Sequence, residues 1–392
     1  MANPNFYTIE LRDKGGYLRQ YLTPFVKDVS WEWNRIGGCG RCRLKLALPY
    51  RKINFSADDD IRIRIRSGAT SKLVYRGWIS GITPSLKVPQ EITLDVRGYF
   101  DKLRFFVIQN AGAKKTYTNQ SVSVIVDNII STFIAPNTSI TKGTIDTATF
   151  TVDSISFKTK VSDALNTLAE LEGKIEYGVN ENLVFFWRIQ DENLRRKFIV
   201  GNDVELFERR VDWSQLLNKI YFEGGDVSGS PYLKTAESQD SQTMYFISEG
   251  IINNSSITTS GVADQYLSSK LRDGASPKLV LRVKIPNTSL RLEDTVPLGE
   301  IAVYDSDYDE SLHIVGETVD GGSNLTVGLK ASGGSDAVIG GVFQDQIERI
   351  AYTLSNTEEK FNIEITMGGS ISENYAKTRQ LELLLDNLRQ YQ

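Results

Sequence analysis

Apolar and polar positions alternate strictly in Ile61-Arg-Ile63-Arg-Ile65-Arg66, which gives a strand with one apolar and one charged face. Leu73-Val-Tyr75-Arg-Gly77-Trp-Ile79 and Ile92-Thr-Leu94-Asp-Val96 continue the pattern, with turn-forming residues at Ala57-Asp-Asp-Asp60 and Pro84-Ser85. Short strands punctuated in this way predict a β-barrel or sandwich over the first hundred residues.

The period then changes. Val122, Ile125, Val126, Ile129, Ile130 and Phe133 follow helical spacing, with Ser121 as N-cap. A second helix is expected from Ser162, its cap, to about Glu172, with Leu165, Leu168 and Leu171 inward and Gly173 ending it. The hairpin Lys174–Tyr177 with Leu183–Trp187 completes an α+β unit. Strands return from about Gly201, at Asn218–Phe222, Leu279–Val283, Glu300–Tyr304, Leu312–Val315, Leu325–Leu329, Ile347–Leu354 and Phe361–Met367. Ser228–Gln242 reads as a surface loop, and a helix interrupts near Asp264–Arg272.

The chain closes with a helix over Ile371–Tyr391, opened by a Ser370…Glu373 capping box. Leu381, Leu384, Leu388 and Tyr391 form a 3-4-3 stripe, widened by Leu385. Two heptads are too short to stand alone. The stripe must dock on its own chain or between symmetry mates, so these four residues are the candidate oligomer interface.

Two stretches repeat. Asp60-Ile61-Arg-Ile63, leading over a turn to Leu73-Val-Tyr75-Arg-Gly77, matches Glu300-Ile301-Ala-Val303, leading to Leu312-His-Ile314-Val-Gly316. Ile79…Ile92-Thr-Leu94-Asp-Val96-Arg-Gly98 aligns without gaps on Ile350…Ile363-Glu-Ile365-Thr-Met367-Gly-Gly369. Element order, glycines and lengths all match, so two related β-units are expected.

Composition narrows the function. The 392 residues carry 45 Lys+Arg against 49 Asp+Glu, a net charge of −4, which argues against a general nucleic-acid binder. No apolar run approaches the ~18 residues of a membrane-spanning helix, and the first residues lack the basic and apolar regions of a signal peptide. Cys39 and Cys42 are the only cysteines, so no disulfide framework is expected and synthesis in a reducing cytoplasm fits. A single histidine, His313, weakens the case for an enzyme and for a zinc site, and no cofactor is expected.

The candidate chemical motifs read as structural. Cys39-Gly-Arg-Cys42 opens an alternating strand rather than a helix, unlike a redox pair. Asp305-Ser-Asp307-Tyr-Asp309 starts like a calcium loop but has Glu310 and Gly316 where Gly and Glu are required. Gly37-Gly-Cys-Gly40 lacks the phosphate-loop lysine and helix. His313 has no catalytic partner nearby in sequence. Trp31-Glu-Trp33 and Phe185-Phe-Trp187 could stack sugars, but at strand spacing they read as core or subunit contact.

Several segments in order resemble a known family. Gly37-Gly-Cys39-Gly40 before an alternating strand, Tyr75-Arg-Gly77-Trp-Ile79 and Val96-Arg-Gly98-Tyr99 resemble its first barrel and hairpin. Val161-Ser-Asp-Ala-Leu165-Asn-Thr-Leu168-Ala with Ile175-Glu-Tyr177 and Leu183-Val-Phe185 resembles its central domain. Asp212-Trp-Ser-Gln-Leu216-Leu-Asn218-Lys-Ile220 through Gly224-Gly225 resembles the start of its second barrel. The family is that of the baseplate or tail-tip hub proteins of long-tailed bacteriophages and related contractile injection systems.

The resemblance implies a mainly β chain with an α+β insertion: two tube-type antiparallel β-barrel domains, a central α+β domain and a C-terminal helix. The expected division is 1–100 for the first barrel, 101–200 for the α+β domain and 201–228 for the start of the second barrel. An insertion at 229–290 packs with the α+β domain, 291–369 completes the second barrel, and 370–392 is the helix. The resemblance further implies a non-enzymatic homotrimer at the virion tail tip that adapts a sixfold tail tube to a threefold spike or fibre. Its neighbours would be a tail tube or distal tail protein on one side and a spike or fibre protein on the other. DNA would pass through a sparsely or negatively charged channel without specific binding. The lytic C-terminal domains of some relatives are not expected. The alternatives are a receptor- or glycan-binding β-module of a tail fibre and a carboxylate-based glycosidase.

Overall fold

The computed structural model describes residues 7–47, 53–67, 70–85, 91–190, 194–199, 206–285, 300–304, 342–355 and 360–370. The chain is mainly β with a few helices, and the fold class read from sequence is borne out at that level. The first unit contains β1 (Tyr7–Arg12), β2 (Leu18–Tyr21), β3 (Val26–Asn34), β4 (Ile36–Ala47), β5 (Asp60–Ser67), β6 (Thr70–Ser85) and β7 (Glu91–Gly98). They lie side by side in the order β3-β4-β7-β6-β5-β1-β2. The alternation of β5 does what it predicts: Ile61, Ile63 and Ile65 are buried, with Arg62 and Arg64 on the other face.

The α+β part follows. β8 (Lys115–Ser121) leads into α1 (Val122–Ile129), which continues as a wider turn over Ile130–Ile134. β9 (Thr141–Ile145), β10 (Thr151–Phe157), α2 (Val161–Glu172), β11 (Ile175–Val179) and β12 (Val184–Ile189) complete it. α2 is capped by Lys160, not Ser162. The Lys160 carbonyl accepts from Ala164, and the Val161 amide donates to the Phe106 carbonyl, so tertiary contact replaces a side-chain cap. Gly173 ends the helix at φ +70°, as its residue type predicts.

β13 (Leu194–Ile199) and β14 (Leu206–Asp212) lead to a small sheet of β15 (Lys219–Val227), β16 (Ser230–Glu237) and β17 (Glu249–Asn254). The expected loop at Ser228–Gln242 is instead β16 followed by the start of α3 (Gln239–Met244). Ser228 and Gly229, both at positive φ, make a two-residue hairpin turn. The polar composition belongs to a strand with one face in water. α4 (Ser260–Gly274) covers the other face of this sheet, with Leu267 and Tyr266 against Phe222.

β18 (Lys278–Ile285), β19 (Glu300–Tyr304), β20 (Val342–Ser355) and β21 (Lys360–Ser370) return to the large sheet, in the order β14-β18-β21-β20, with β19 on β20 and β13 on β19. β15 pairs with β16 and β17 in the small sheet, and β18 pairs with β14 and β21 in the large one. Sequence periodicity marks strands but not which sheet they join. The C-terminal helix with Leu381, Leu384, Leu388 and Tyr391 lies outside the described residues. Among those described, no helix is long and apolar enough to cross a membrane.

Two apolar cores result. One joins Ile9, Leu44, Ile63, Tyr75 and Leu94 to Ile350, Tyr352 and Ile365. The other joins Ile125, Leu165, Leu168, Phe185 and Trp187 to Ile220, Phe222 and Leu267. The bodies touch where β4 runs parallel to β11, with Gly37 beside Gly178 and Gly38 beside Val179. Gly38 sits at φ +74°, and a Cβ there would meet the Val179 carbonyl.

The internal repeat is present as two meanders with matching pairs. Asp60 pairs with Trp78, and β6 then bulges between Ile79 and Gly81 against β7. Glu300 pairs with Gln346, and β20 then bulges between Ile347 and Arg349 against β21. Ile79 faces Val96 as Ile347 faces Met367. The glycines Gly98 and Gly369 therefore align as read from sequence, but Ile79 corresponds to Ile347 rather than Ile350. The bulge is common to both units; the offset arises in the connection, since Ser85 pairs with Glu91 but the corresponding Thr353 pairs with Asn362, three residues farther along the chain. Leu312–Gly316 lies outside the described residues, and Val342–Gln346 is the segment that pairs with β19.

Asp60, which opens β5, is 2 % exposed and accepts from Arg62 Nε (2.8 Å), Arg76 Nε (3.0 Å) and the Tyr99 hydroxyl (3.1 Å). Asp60→Ala leaves two largely buried guanidiniums without this countercharge. The expected loss is about 3–5 kcal/mol in chemical denaturation, and a loss under about 1 kcal/mol would contradict this account.

Candidate assembly surface

The two meanders are joined edge to edge. Arg349–Ser355 of β20 pairs antiparallel with Asn34–Asp28 of β3, Tyr352 opposite Trp31 and Ala351 opposite Glu32. The core side of this seam is apolar. Trp31 stacks on Tyr352 with ring centroids 5.2 Å apart and planes 11° from parallel. Burial pushes the Tyr352 hydroxyl pKa up. At the seam's end the Arg35 amide donates to the Glu348 carbonyl (2.9 Å), and its guanidinium meets the Glu348 carboxylate at 2.7 Å.

The opposite face carries charges that pair across strands. Arg282 on β18 meets Glu208 on β14 (3.2 Å) and Glu364 on β21 (2.7 Å). Arg349 on β20 meets Glu364 (3.3 Å) and Glu32 on β3 (3.4 Å). Glu208–Arg282–Glu364–Arg349–Glu32 is thus an unbroken ladder over five strands that crosses the seam. The hydrogen bond to Glu364 raises the Arg282 pKa further. Each half-exposed pair is worth only about 0.2–1 kcal/mol. The ladder joins the five strands side by side on this face and adds little net stability. Farther along, Lys27 (2.5 Å) and Lys45 (2.9 Å) share Glu91 and hold its carboxyl below the usual range.

Most sequence candidates take structural places. Trp31 is in the seam, Trp33 stacks on Phe186 (6.0 Å) between the two bodies, and Phe185 and Trp187 are fully buried. Trp31, Phe185 and Trp187 are closed to a saccharide, and Trp33 is partly buried. Gly37 and Gly38 serve the close approach of β4 to β11 rather than a phosphate. The buried carboxylates Glu10, Asp59 and Asp60 each meet an arginine: Arg12, Arg19 and Arg62. His313, Asp305, Asp307 and Asp309 lie outside the described residues. Sequence reading missed Glu32, Arg349 and Glu364, since only the strand pairing brings them together.

Cys39 and Cys42 are free and buried in the first core. Burial pushes the Cys39 thiol up to about 12 and raises Cys42 as well. Neither is a redox pair, because the thiolate is the reactive form. A thiol reagent at pH 8 should leave both unmodified in the folded chain and label both after unfolding. Fast labelling of the native protein would contradict this placement.

No family model and no curated protein sequence matches the chain. Solved structures do match in fold. The 43 kDa tail protein of prophage MuSo2 from Shewanella oneidensis is 14 % identical, over 92 % of this chain and 97 % of that one, with a TM-score of 0.58. The tail protein from Neisseria meningitidis MC58 is 11 % identical, over 93 % and 97 %, at 0.59. Prophage tail protein gp18 from Listeria monocytogenes EGD-e is 13 % identical, over 97 % and 99 %, at 0.51. These likenesses span nearly the whole of both chains, so this chain has the fold of bacteriophage tail proteins, as the resemblance to the tail-tip hub family implied.

Proposed function

We propose that the chain is a structural, non-enzymatic hub of a phage tail tip, a homotrimer that adapts a sixfold tail tube to a threefold spike or fibre. The observation that carries this reading is the β20·β3 seam, which joins two meanders of matching pairing inside one chain. Three such chains present six equivalent units, which a threefold ring needs in order to meet a sixfold tube. The fold likeness to tail proteins supports the same reading. In it, β1–β7 and β13–β14 with β18–β21 are the two tube-type barrels, and residues 213–277 are the insertion. A tail tube or distal tail protein stacks on one side, and a spike or fibre protein on the other.

The charged face of the large sheet is assigned to the channel. Its charges are paired rather than sparse or negative, as in Glu208–Arg282–Glu364–Arg349–Glu32. Paired charges give little net field, so passing DNA would not be held. Synthesis in the host cytoplasm and residence at the virion tail tip follow. Leu381, Leu384, Leu388 and Tyr391 are assigned to the subunit contact.

The test is the mass of the purified chain by light scattering, beside a version ending at Gly369. Three copies are expected for the full chain and fewer for the short one. A monomer at every concentration overturns the hub. A trimer that survives truncation removes the last helix from the contact.

A further inference from the structure

The internal seam has an uncovered counterpart in the same chain. The strand order β14-β18-β21-β20 repeats β3-β4-β7-β6. Arg209 pairs with Leu281 and Leu281 with Met367, as Trp31 pairs with Cys42 and Cys42 with Val96. β14 therefore corresponds to β3, with Asp212 in the place of Asn34. On the other strand the bulge residues Ser80 and Glu348 correspond, so Gly81 stands in the place of Arg349.

In the second unit, the stretch from Arg349 is covered by β3. In the first, Gly81–Pro84 has β7 on one side and, among the described residues, no strand on the other. Among the described residues β14 likewise has only β18 beside it. Burial records the difference. Ile350 is 2 % exposed, whereas its counterpart Ile82 is 39 % exposed. The residue after β14, Trp213, is 48 % exposed and stacks on Phe246, itself 53 % exposed. Its counterpart in the covered seam is Arg35, whose amide binds the bulge residue Glu348.

We infer that β14 of one copy pairs antiparallel with the Gly81–Pro84 edge of a second copy, Asp212 opposite Gly81, Val211 opposite Ile82 and Arg210 opposite Thr83. This rests on the hub reading and names the surface that would close its ring. The contact covers Ile82 as β3 covers Ile350. Trp213 comes over the bulge at Ser80, next to Trp78 and the exposed Phe105, which meet edge to face at 6.2 Å. The two surfaces differ, so the contact is head to tail and closes only as a ring. Pro84 brings no N–H, which shortens the ladder at that end and guards the lone chain against indiscriminate edge pairing.

The test is Thr83→Cys with Arg210→Cys in the full chain, oxidised with copper phenanthroline after the mass has been measured. Opposed Cα atoms in an antiparallel ladder stand about 4.5–5.5 Å apart, within disulfide range. The expected result is a three-copy mass and covalent two- and three-copy bands on a non-reducing gel, absent from each single variant. Cys39 and Cys42 are buried and do not compete. A three-copy mass without these bands, or a disulfide closed inside one copy, overturns the seam and leaves the hub standing. A one-copy mass overturns both. Ile82→Lys, at an exposed position of the lone chain, should leave the circular dichroism unchanged and weaken the trimer at least about tenfold. An unchanged trimer also overturns the seam.

Discussion

A strand edge is a row of backbone donors and acceptors that must be paired, covered or left to water. The architecture of this chain depends on that constraint. Arg349–Ser355 extends past its own neighbour β19 and takes β3 of the other unit as its second partner. One ladder thereby merges two meanders into a continuous sheet and one apolar core, in which Ile350 and Tyr352 pack with Trp31 and Leu44. Without it, Trp31 and Tyr352 would face water.

The same constraint explains the economy of the rest. The α+β body is attached through a second edge contact, β4 on β11, where Gly37, Gly38 and Gly178 let two backbones meet at a distance that a side chain would prevent. Trp33 on Phe186 adds an apolar contact beside it. Charges are confined to the faces left over. They pair across strands on the large sheet, and around Asp60 they hold the start of β5. The ladder of arginines and glutamates adds little free energy per pair.

Much of this was legible in the residues. Strands β4 to β7 of the first unit, both main helices, the hairpin after Gly173 and the mainly β class follow from periods of 2 and 3.6 and from turn residues, whereas β1 and β2 carry no such pattern long enough to mark them. The duplication was legible in element order and in Gly98 and Gly369; at Gly98 a Cβ would meet the Cys39 carbonyl of the neighbouring strand. The seam was half legible. Trp31 and Trp33 were marked as core or contact, but Glu32, Arg349 and Glu364 carry no local signal that they meet.

The amino-acid order by itself determined which positions are apolar, where the period changes, that the cysteines open a strand, and that one unit occurs twice. Those are properties of neighbouring residues, set by side-chain chemistry and backbone sterics. Tertiary structure alone decided which strand pairs with which: that β15 joins the small sheet and β18 the large one, that β20 crosses to β3, and that Thr353 pairs with Asn362 where Ser85 pairs with Glu91, which shifts the repeat by three residues. The physical reason is that backbone hydrogen bonds are the same for every residue. A strand's sequence shows that it must find a partner, and only the packing of the whole chain chooses which.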